Sequence, residues 1–203
     1  MTAPVEALLF DLGNVITEID FGRVVKRWSE HARRDLTPLW KAYTPDDVYH
    51  RHERGMASDE EFFGSLRDAF GVELTDAQFL DGWNAIFVGR YTGIDDQLQR
   101  AAARMPIYAF TNTNKAHEQY WSVAYADTMS HFRHVFVSST IGHRKPDLDA
   151  FAYVVREMGV PAERVLFFDD SQANIDGARA SGLQTVHVRS NADLTAALAR
   201  LGI

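Results

Sequence analysis

The chain has 203 residues, which is enough for one domain of ordinary size or for a core with a small insert. Hydrophobic residues make up 46% and charged residues 24%, as in soluble globular proteins, and a net charge of −7 argues against nucleic acid as the main partner. The lack of cysteine excludes disulfides and thiolate metal sites. Acids interrupt the apolar residues near the N-terminus, so we expect no signal peptide, no membrane partner and a cytoplasmic location.

The first predicted strand is Ala7–Phe10, which opens the stretch "ALLFDLGNVI". Asp11 interrupts this apolar run directly after Phe10, and Gly13 follows two residues later. An acid after a strand is often ordinary turn chemistry. The carboxyl end of a strand is also where α/β sheets bind their ligands, so Asp11 is a candidate site residue.

Residues 17–93 contain no convincing strand and instead carry signals for several helices. "SDEE" at Ser58–Glu61 and "TDAQ" at Thr75–Gln78 fit capping boxes, in which a hydroxyl and a carboxyl or amide group satisfy backbone donors at a helix start. Two apolar stripes follow these starts: Phe62, Phe63, Leu66, Ala69 and Phe70, and then Phe79, Leu80, Trp83, Ile86 and Phe87. We therefore expect a helical insert over residues 17–93, which divides a core of residues 1–16 and 94–203.

Four further apolar runs predict buried strands, and helical patterns separate them. The predicted strands are Ile107–Thr111, Val135–Ser138, Val165–Phe168 and Thr185–Val188. "PDLDAFAYVVREMG" predicts a helix with Pro146 in its first turn and Gly159 at its stop. Strands and helices in alternation indicate an α/β fold with a parallel sheet and right-handed crossovers.

Polar side chains follow several of these strands at the edge where ligands bind. They are Asp11, Thr111 and Asn112 in "FTNTN", Lys145 in "GHRKPD", and Asp169 and Asp170 in "FFDD". Carboxylates from separate strands favour Mg²⁺, while a lysine and small polar donors suit a phosphoryl group. One carboxylate could act as a nucleophile and form an aspartyl phosphate. Each residue alone has an ordinary surface or turn explanation, but together they predict a catalytic site.

The order "FDLGNV", "FTNTN", "RKPD" and "FFDDSQAN" resembles the haloacid dehalogenase superfamily across the whole chain. This resemblance implies a Rossmann-like parallel sheet core, with residues 17–93 as the superfamily's helical cap. "DLGNVITEIDFGRVVKRWSE", "HRHERGMASDEEF", "GWNAIFV" and "TNTNKAH" are similar, more narrowly, to bacterial α-D-glucose-1-phosphate phosphatases. The implied activity is Mg²⁺-dependent hydrolysis of a small phosphate ester, most simply a sugar phosphate.

The resemblance also implies a role for each candidate residue. Asp11 would be the nucleophile and a Mg²⁺ ligand, and Gly13 would lend its backbone carbonyl to the metal. Thr111 and Asn112 would hold phosphoryl oxygens, and Lys145 would neutralise charge on the phosphate and on the nucleophile. Asp170 would be the other carboxylate on the metal, with Asp169 either a further ligand or an acid behind the ligands.

Gly13 departs from the common phosphatase pattern of the superfamily. A second Asp usually occupies this position and protonates the leaving oxygen, a contribution of about 10²–10⁴-fold. An anomeric leaving oxygen needs less help, and His50, His52 or Glu53 in "VYHRHERG" could substitute. Alternatively, Gly13 could occupy a backbone conformation that other residues resist.

Two other functions remain open at this point. A 2-haloacid dehalogenase also lacks the second Asp and needs no metal, although the acids of "FFDD" would then be superfluous. A phospho-ligand sensor would keep the pocket but lack turnover.

Overall fold

The computed structural model describes residues 3–203 and contains the predicted α/β core. Its strands are β1 (Ala7–Phe10), β2 (Thr17–Ile19), β3 (Phe87–Arg90), β4 (Ile107–Thr111), β5 (His134–Val137), β6 (Val165–Asp169) and β7 (Gln184–His187). Five of them form one sheet in the order β5-β4-β1-β6-β7, and every neighbouring pair is parallel. The central position of β1 places Asp11 at the middle of the carboxyl edge.

Helices surround this sheet and fill the segment between β2 and β3. They are α1 (Phe21–Ala32), α2 (Thr37–Ala42), α3 (Asp47–Glu53), α4 (Asp59–Phe70), α5 (Asp76–Asn84), α6 (Ile94–Arg104), α7 (Lys115–Ala124), α8 (Ala126–Met129), α9 (Ser138–Ile141), α10 (Leu148–Met158), α11 (Gln172–Ala180) and α12 (Asn191–Arg200). A short 3-10 turn, Ala162–Arg164, precedes β6. No helix of residues 3–203 is long and apolar enough to span a bilayer.

The sheet is buried on both faces, which explains why its strands are continuously apolar. Along β1, Leu8 and Phe10 belong to one apolar layer, which includes α6 and α12. Leu9 faces the other layer, together with residues of α10 and α11. The ring of Phe10 stacks on that of Phe168 in the neighbouring strand, with centroids 4.7 Å apart.

Helices α1–α5 enclose an aromatic cluster of their own. The rings of Trp28 and Trp83 stack with centroids 5.9 Å apart, and Trp28 Nε1 donates to the carbonyl of Phe79 at 2.9 Å. Both predicted capping boxes are present, at the starts of α4 and α5. Local capping and apolar spacing therefore predicted these two helices correctly.

Several sequence expectations were wrong in detail. The 17–93 segment does contain strands, because β2 and β3 pair antiparallel where the chain leaves and re-enters the sheet domain. These strands have three and four residues, too few for an alternating pattern to stand out. Strands β5 and β7 lie one residue earlier than predicted. Pro146 precedes helix α10 instead of starting it, because Asp147 is extended at the N-cap.

Candidate active site

Three carboxylates meet at the carboxyl edge of the sheet. Asp11 follows β1, Asp169 ends β6, and Asp170 comes next in the chain. The Asp11 backbone N–H donates to the carbonyl of Phe168 at 2.8 Å, so pairing of the two strands extends as far as the site. One oxygen from each carboxylate lies within 4.8 Å of the others, which is a separation that a single divalent cation can bridge.

Lys145 lies between two of these acids. Its Nζ donates to Asp11 Oδ1 at 2.8 Å and to Asp169 Oδ2 at 2.7 Å, and its side chain is 1% exposed. Asp169 is fully buried and also accepts hydrogen bonds from the Ser171 backbone and from Asn174 Nδ2. Asp169 is thus held by donors on both oxygens, and it holds the ammonium of Lys145 beside Asp11.

Burial and polar neighbours shift the pKa values of these groups in opposite directions. Burial raises the pKa of Asp11 to about 7, although the nearby Lys145 ammonium lowers it. Burial lowers the pKa of Lys145, but the charges of Asp11 and Asp169 outweigh this effect and the pKa is raised. Burial also raises the pKa of Asp170, against a hydrogen bond from Asn14. The lysine therefore stays charged, and additional positive charge at this edge would stabilise the ionised carboxylates.

The side chain of Asn112 is engaged by the segment that carries Lys145. Its Nδ2 donates to the Lys145 carbonyl at 2.8 Å, and its Oδ1 accepts from the Lys145 N–H at 2.9 Å. This reciprocal pair fixes the lysine segment against the end of β4. Asn112 therefore positions Lys145, and the sequence did not indicate this contact. Thr111, at the end of β4, makes no such contact with Lys145.

Asn14 and Asn174 are site residues that the sequence reasoning missed. Asn14 Nδ2 donates to Asp170 Oδ2 at 3.0 Å and orients that carboxylate, while Asn174 holds Asp169. Asn14 has a φ of 55°, a conformation that asparagine tolerates better than most residues. An asparagine directly after Gly13 and another in "SQAN" were the available signals.

A cavity of about 140 Å³ lies over these residues, between the sheet edge and the predicted helical insert, residues 17–93. Six of the seven residues nominated from the sequence line it: Asp11, Gly13, Thr111, Asn112, Lys145 and Asp170. The seventh, Asp169, is buried behind Lys145. The insert contributes a wall that is mainly aromatic and aliphatic but includes Tyr49 and Glu53. The cavity thus has a strongly polar base and a mostly apolar wall.

A family model described as haloacid dehalogenase-like hydrolase matches residues 5–182. The chain belongs to this family. As a member it is a hydrolase, as the sequence predicted, and the names of its relatives support a phosphatase.

Among curated relatives, the D-ribitol-5-phosphate phosphatase of Bacteroides thetaiotaomicron is 24% identical over 198 residues, which cover 93% of this chain and 94% of the relative. Drimenol cyclase drtB of Aspergillus calidoustus is 26% identical over 186 residues, or 90% of this chain, but the match spans only 34% of that protein. A haloacid dehalogenase family enzyme of B. thetaiotaomicron, solved with magnesium and inorganic phosphate, superposes with a TM-score of 0.77. That structure is 24% identical and covers 89% of this chain and 92% of its own, which shows a shared fold.

His50, His52 and Glu53 were the candidate proton donors of the insert. Of these three residues, only Glu53 lines the cavity. His52 Nε2 lies 2.7 Å from Asp59, and the His52 ring stacks on Phe62. His50 Nδ1 lies 3.2 Å from a guanidinium nitrogen of Arg144. Both histidines are therefore held by contacts outside the cavity.

Gly13 is not in the left-handed region, so the conformational explanation for this glycine does not hold. A Cβ atom built on Gly13 would lie 3.0 Å from Cδ1 of Ile19. A side chain at position 13 would therefore lie very close to β2. The close contact comes from the terminal methyl group of Ile19, which is a flexible side chain.

Proposed function

We propose that this chain is a Mg²⁺-dependent phosphatase that hydrolyses a small phosphate ester through an aspartyl phosphate on Asp11. The observation that carries the proposal is Lys145 Nζ, which contacts both Asp11 and Asp169 at the base of the cavity. The carboxylate nucleophile Asp11, the buried ammonium of Lys145 and the further carboxylate of Asp170 lie together at the carboxyl edge of the sheet, and this set of groups suits phosphoryl transfer.

The donor set fits Mg²⁺, which prefers carboxylate and carbonyl oxygens together with water and substrate phosphate. We assign Asp11, Asp170 and the Gly13 carbonyl as its ligands, and we assign Asp169 to hold Lys145. This division follows from the donors already present on both Asp169 oxygens. When bound, the ion would supply positive charge to the phosphoryl oxygens. The magnesium and phosphate found in the structure of the B. thetaiotaomicron enzyme support the choice of Mg²⁺ as the ion.

This chain supplies the nucleophile and the compensating positive charge for both chemical steps, and water supplies the protons. An oxygen of Asp11 attacks phosphorus while the bond from phosphorus to the ester oxygen breaks, and the leaving oxygen takes up a proton from water. Water then attacks the phosphorus of the aspartyl phosphate and the bond from phosphorus to the Asp11 oxygen breaks, which releases inorganic phosphate and restores the carboxylate. The proton that this water loses replaces the one that the alcohol took up. Lys145 offsets negative charge on the nucleophile and on the phosphoryl group throughout, and Thr111 at the cavity base offers a hydroxyl to a phosphoryl oxygen.

For the substrate we propose a sugar or sugar-alcohol phosphate held beneath the helical insert, which acts as a cap. The similarity of the insert sequence to α-D-glucose-1-phosphate phosphatases supports this class. The relative named for D-ribitol 5-phosphate points to the same class with a different position of the phosphate.

A phosphate-release screen tests the proposal. Sugar phosphates, nucleotides and acyl phosphates are compared with Mg²⁺ and with EDTA, for the wild type and for Asp11→Asn. We expect EDTA to abolish turnover, and we expect Asp11→Asn to retain its circular dichroism spectrum without hydrolysing any ester, since an amide cannot attack phosphorus. Metal-independent chloride release from a 2-haloacid would instead identify a dehalogenase. Phosphate-ester binding without turnover would identify a sensor.

A further inference from the structure

We propose that Asn14 is a positioning residue for the metal site, because its side-chain amide holds the Asp170 carboxylate in the orientation that binds Mg²⁺. This inference rests on the proposed function, since it takes the assignment of Asp170 as a Mg²⁺ ligand as given. It adds a residue that lies outside the cavity lining and acts through Asp170.

Asp170 is the least restrained of the three carboxylates at the sheet edge. The ammonium of Lys145 holds both Asp11 and Asp169, and Asp169 also accepts from a backbone N–H and a side-chain amide. By contrast, the half-buried Asp170 has one side-chain donor in residues 3–203, Asn14 Nδ2, which lies 3.0 Å from its Oδ2. The orientation of the Asp170 carboxylate therefore depends on this one amide.

Strand β2 holds the other end of the Asn14 amide. Asn14 Oδ1 accepts from the Ile19 N–H at 3.4 Å, and the Asn14 backbone N–H donates to the Thr17 carbonyl at 2.7 Å. A flipped amide would set its oxygen against the Asp170 carboxylate and its NH₂ against the Ile19 N–H, so only one orientation pairs donors with acceptors. The donor side of Asn14 is thus fixed towards Asp170 by the strand through which the chain leaves the sheet domain.

An oriented carboxylate binds a cation more tightly than a freely rotating one. A side chain that is already held loses less rotational freedom when the ion binds. Groups that orient metal ligands are typically worth about 10- to 100-fold in metal affinity. The amide is also neutral, so it orients Asp170 without cancelling its charge. When ionised, the three carboxylates and Lys145 together leave two negative charges, which a divalent cation balances.

A simpler role for Asn14 is conformational. Its φ of 55° lies in the left-handed region, which asparagine tolerates better than most residues. If this were its whole role, glycine would serve as well, because glycine adopts that region without a steric cost. Asn14→Gly and Asn14→Ala therefore separate the two roles. Both variants lose the amide, but only the alanine variant is strained in the left-handed region.

The experiment measures the Kd for Mg²⁺ by isothermal titration calorimetry, with the 203-residue chain, MgCl₂ and no substrate. We expect Asn14→Gly and Asn14→Ala to bind Mg²⁺ about 10-fold more weakly than the wild type, and equally weakly. Their melting temperatures should differ, with Asn14→Ala the lower.

Thr17→Val is the matched control. It keeps the shape of the side chain but removes a buried hydroxyl that donates to the Leu12 carbonyl at 3.2 Å in the same loop. This variant should melt at a lower temperature than the wild type, yet its Kd for Mg²⁺ should be unchanged, because the Asn14 amide is intact.

The Mg²⁺ dependence of phosphate release gives a second measurement, on the ester that the wild type hydrolyses best. Asn14→Gly should need about 10-fold more Mg²⁺ for half-maximal activity. It should keep most of its kcat at saturating Mg²⁺, since Asp11 and Lys145 are unchanged.

A wild-type Kd for Mg²⁺ in Asn14→Gly would overturn the proposal and identify a conformational role. An equal loss of affinity in Thr17→Val would also overturn it, because rigidity of the loop would then control the site. A wild type that binds Mg²⁺ in an Asn14-dependent manner but hydrolyses no ester would support the positioning role and overturn the phosphatase function. A wild type that binds no Mg²⁺ would overturn both.

Discussion

Restoring an acid at Gly13 tests why this enzyme lacks one. The substitution Gly13→Asp introduces a proton donor two residues after the proposed nucleophile. A Cβ at this position lies 3.0 Å from Cδ1 of Ile19, whereas Cγ1 is at 3.7 Å, an ordinary contact. Because Ile19→Val removes Cδ1, the double variant Gly13→Asp, Ile19→Val relieves the one close contact of the new Cβ. Ile19→Val alone is the matched control.

The magnitudes separate the steric effect from the chemical one. Overpacking by a new side chain costs about 1–3 kcal/mol, and Ile→Val costs about 0.5–1.5 kcal/mol, so the double variant should still fold. General acid catalysis is worth about 10²–10⁴-fold, or about 2.7–5.4 kcal/mol of barrier. That benefit should be largest for the most basic leaving groups, which need a proton most.

The assay is kcat/KM for a series of aryl phosphates that share one shape and differ in leaving-group pKa. We expect the wild type and Ile19→Val to slow clearly as the leaving group becomes more basic, provided that chemistry limits this parameter. The double variant should show a flatter dependence, with its largest gain on the most basic member.

Two results would refute this reasoning. A flat dependence in the wild type, with chemistry shown to be rate-limiting, would mean that another residue already supplies the proton. A folded double variant with an unchanged slope would mean that position 13 does not reach the leaving oxygen. In the first case, the pH-rate profile of the wild type would report the pKa of the group responsible.

Three further predictions concern stability and the site. Lys145→Met should abolish phosphate release and destabilise the fold by about 3–5 kcal/mol in urea melts, because two buried carboxylates lose their counter-ion; unchanged stability would contradict this. Burial lowers the pKa of His117 from 6.5 to about 4. As the pH falls, the unfolded chain therefore takes up a proton at His117 before the folded chain does. The free energy of unfolding should therefore fall by about 3 kcal/mol as pH drops from 6.5 towards 4, and less in His117→Phe. Gly55→Ala should destabilise more than Gly71→Ala, since both glycines have positive φ but only Gly55 would clash, with the Ser139 carbonyl 2.1 Å from its new Cβ; equal melts would refute the clash.

The five-stranded sheet and the grouping of polar residues at its carboxyl edge could be predicted from the sequence alone. Strands buried on both faces must be apolar throughout, so Ala7–Phe10 and Ile107–Thr111 were predicted to the residue. Parallel strands bring their carboxyl ends to one edge, which is why Asp11, Lys145 and Asp170 could be grouped before any distance was known. Capping boxes are equally local, because their hydrogen bonds join residues three positions apart.

Contacts between separate elements depend on how those elements pack, and the sequence did not predict them. Helical spacing allows His50, His52 or Glu53 to face the sheet, and the orientation of α3 on the core selects Glu53. The pairing of Asn112 with the Lys145 backbone joins residues 33 positions apart, so no local pattern encodes it. The short strands β2 and β3 form for the same reason, since each gains its hydrogen bonds from a partner about 70 residues away along the chain.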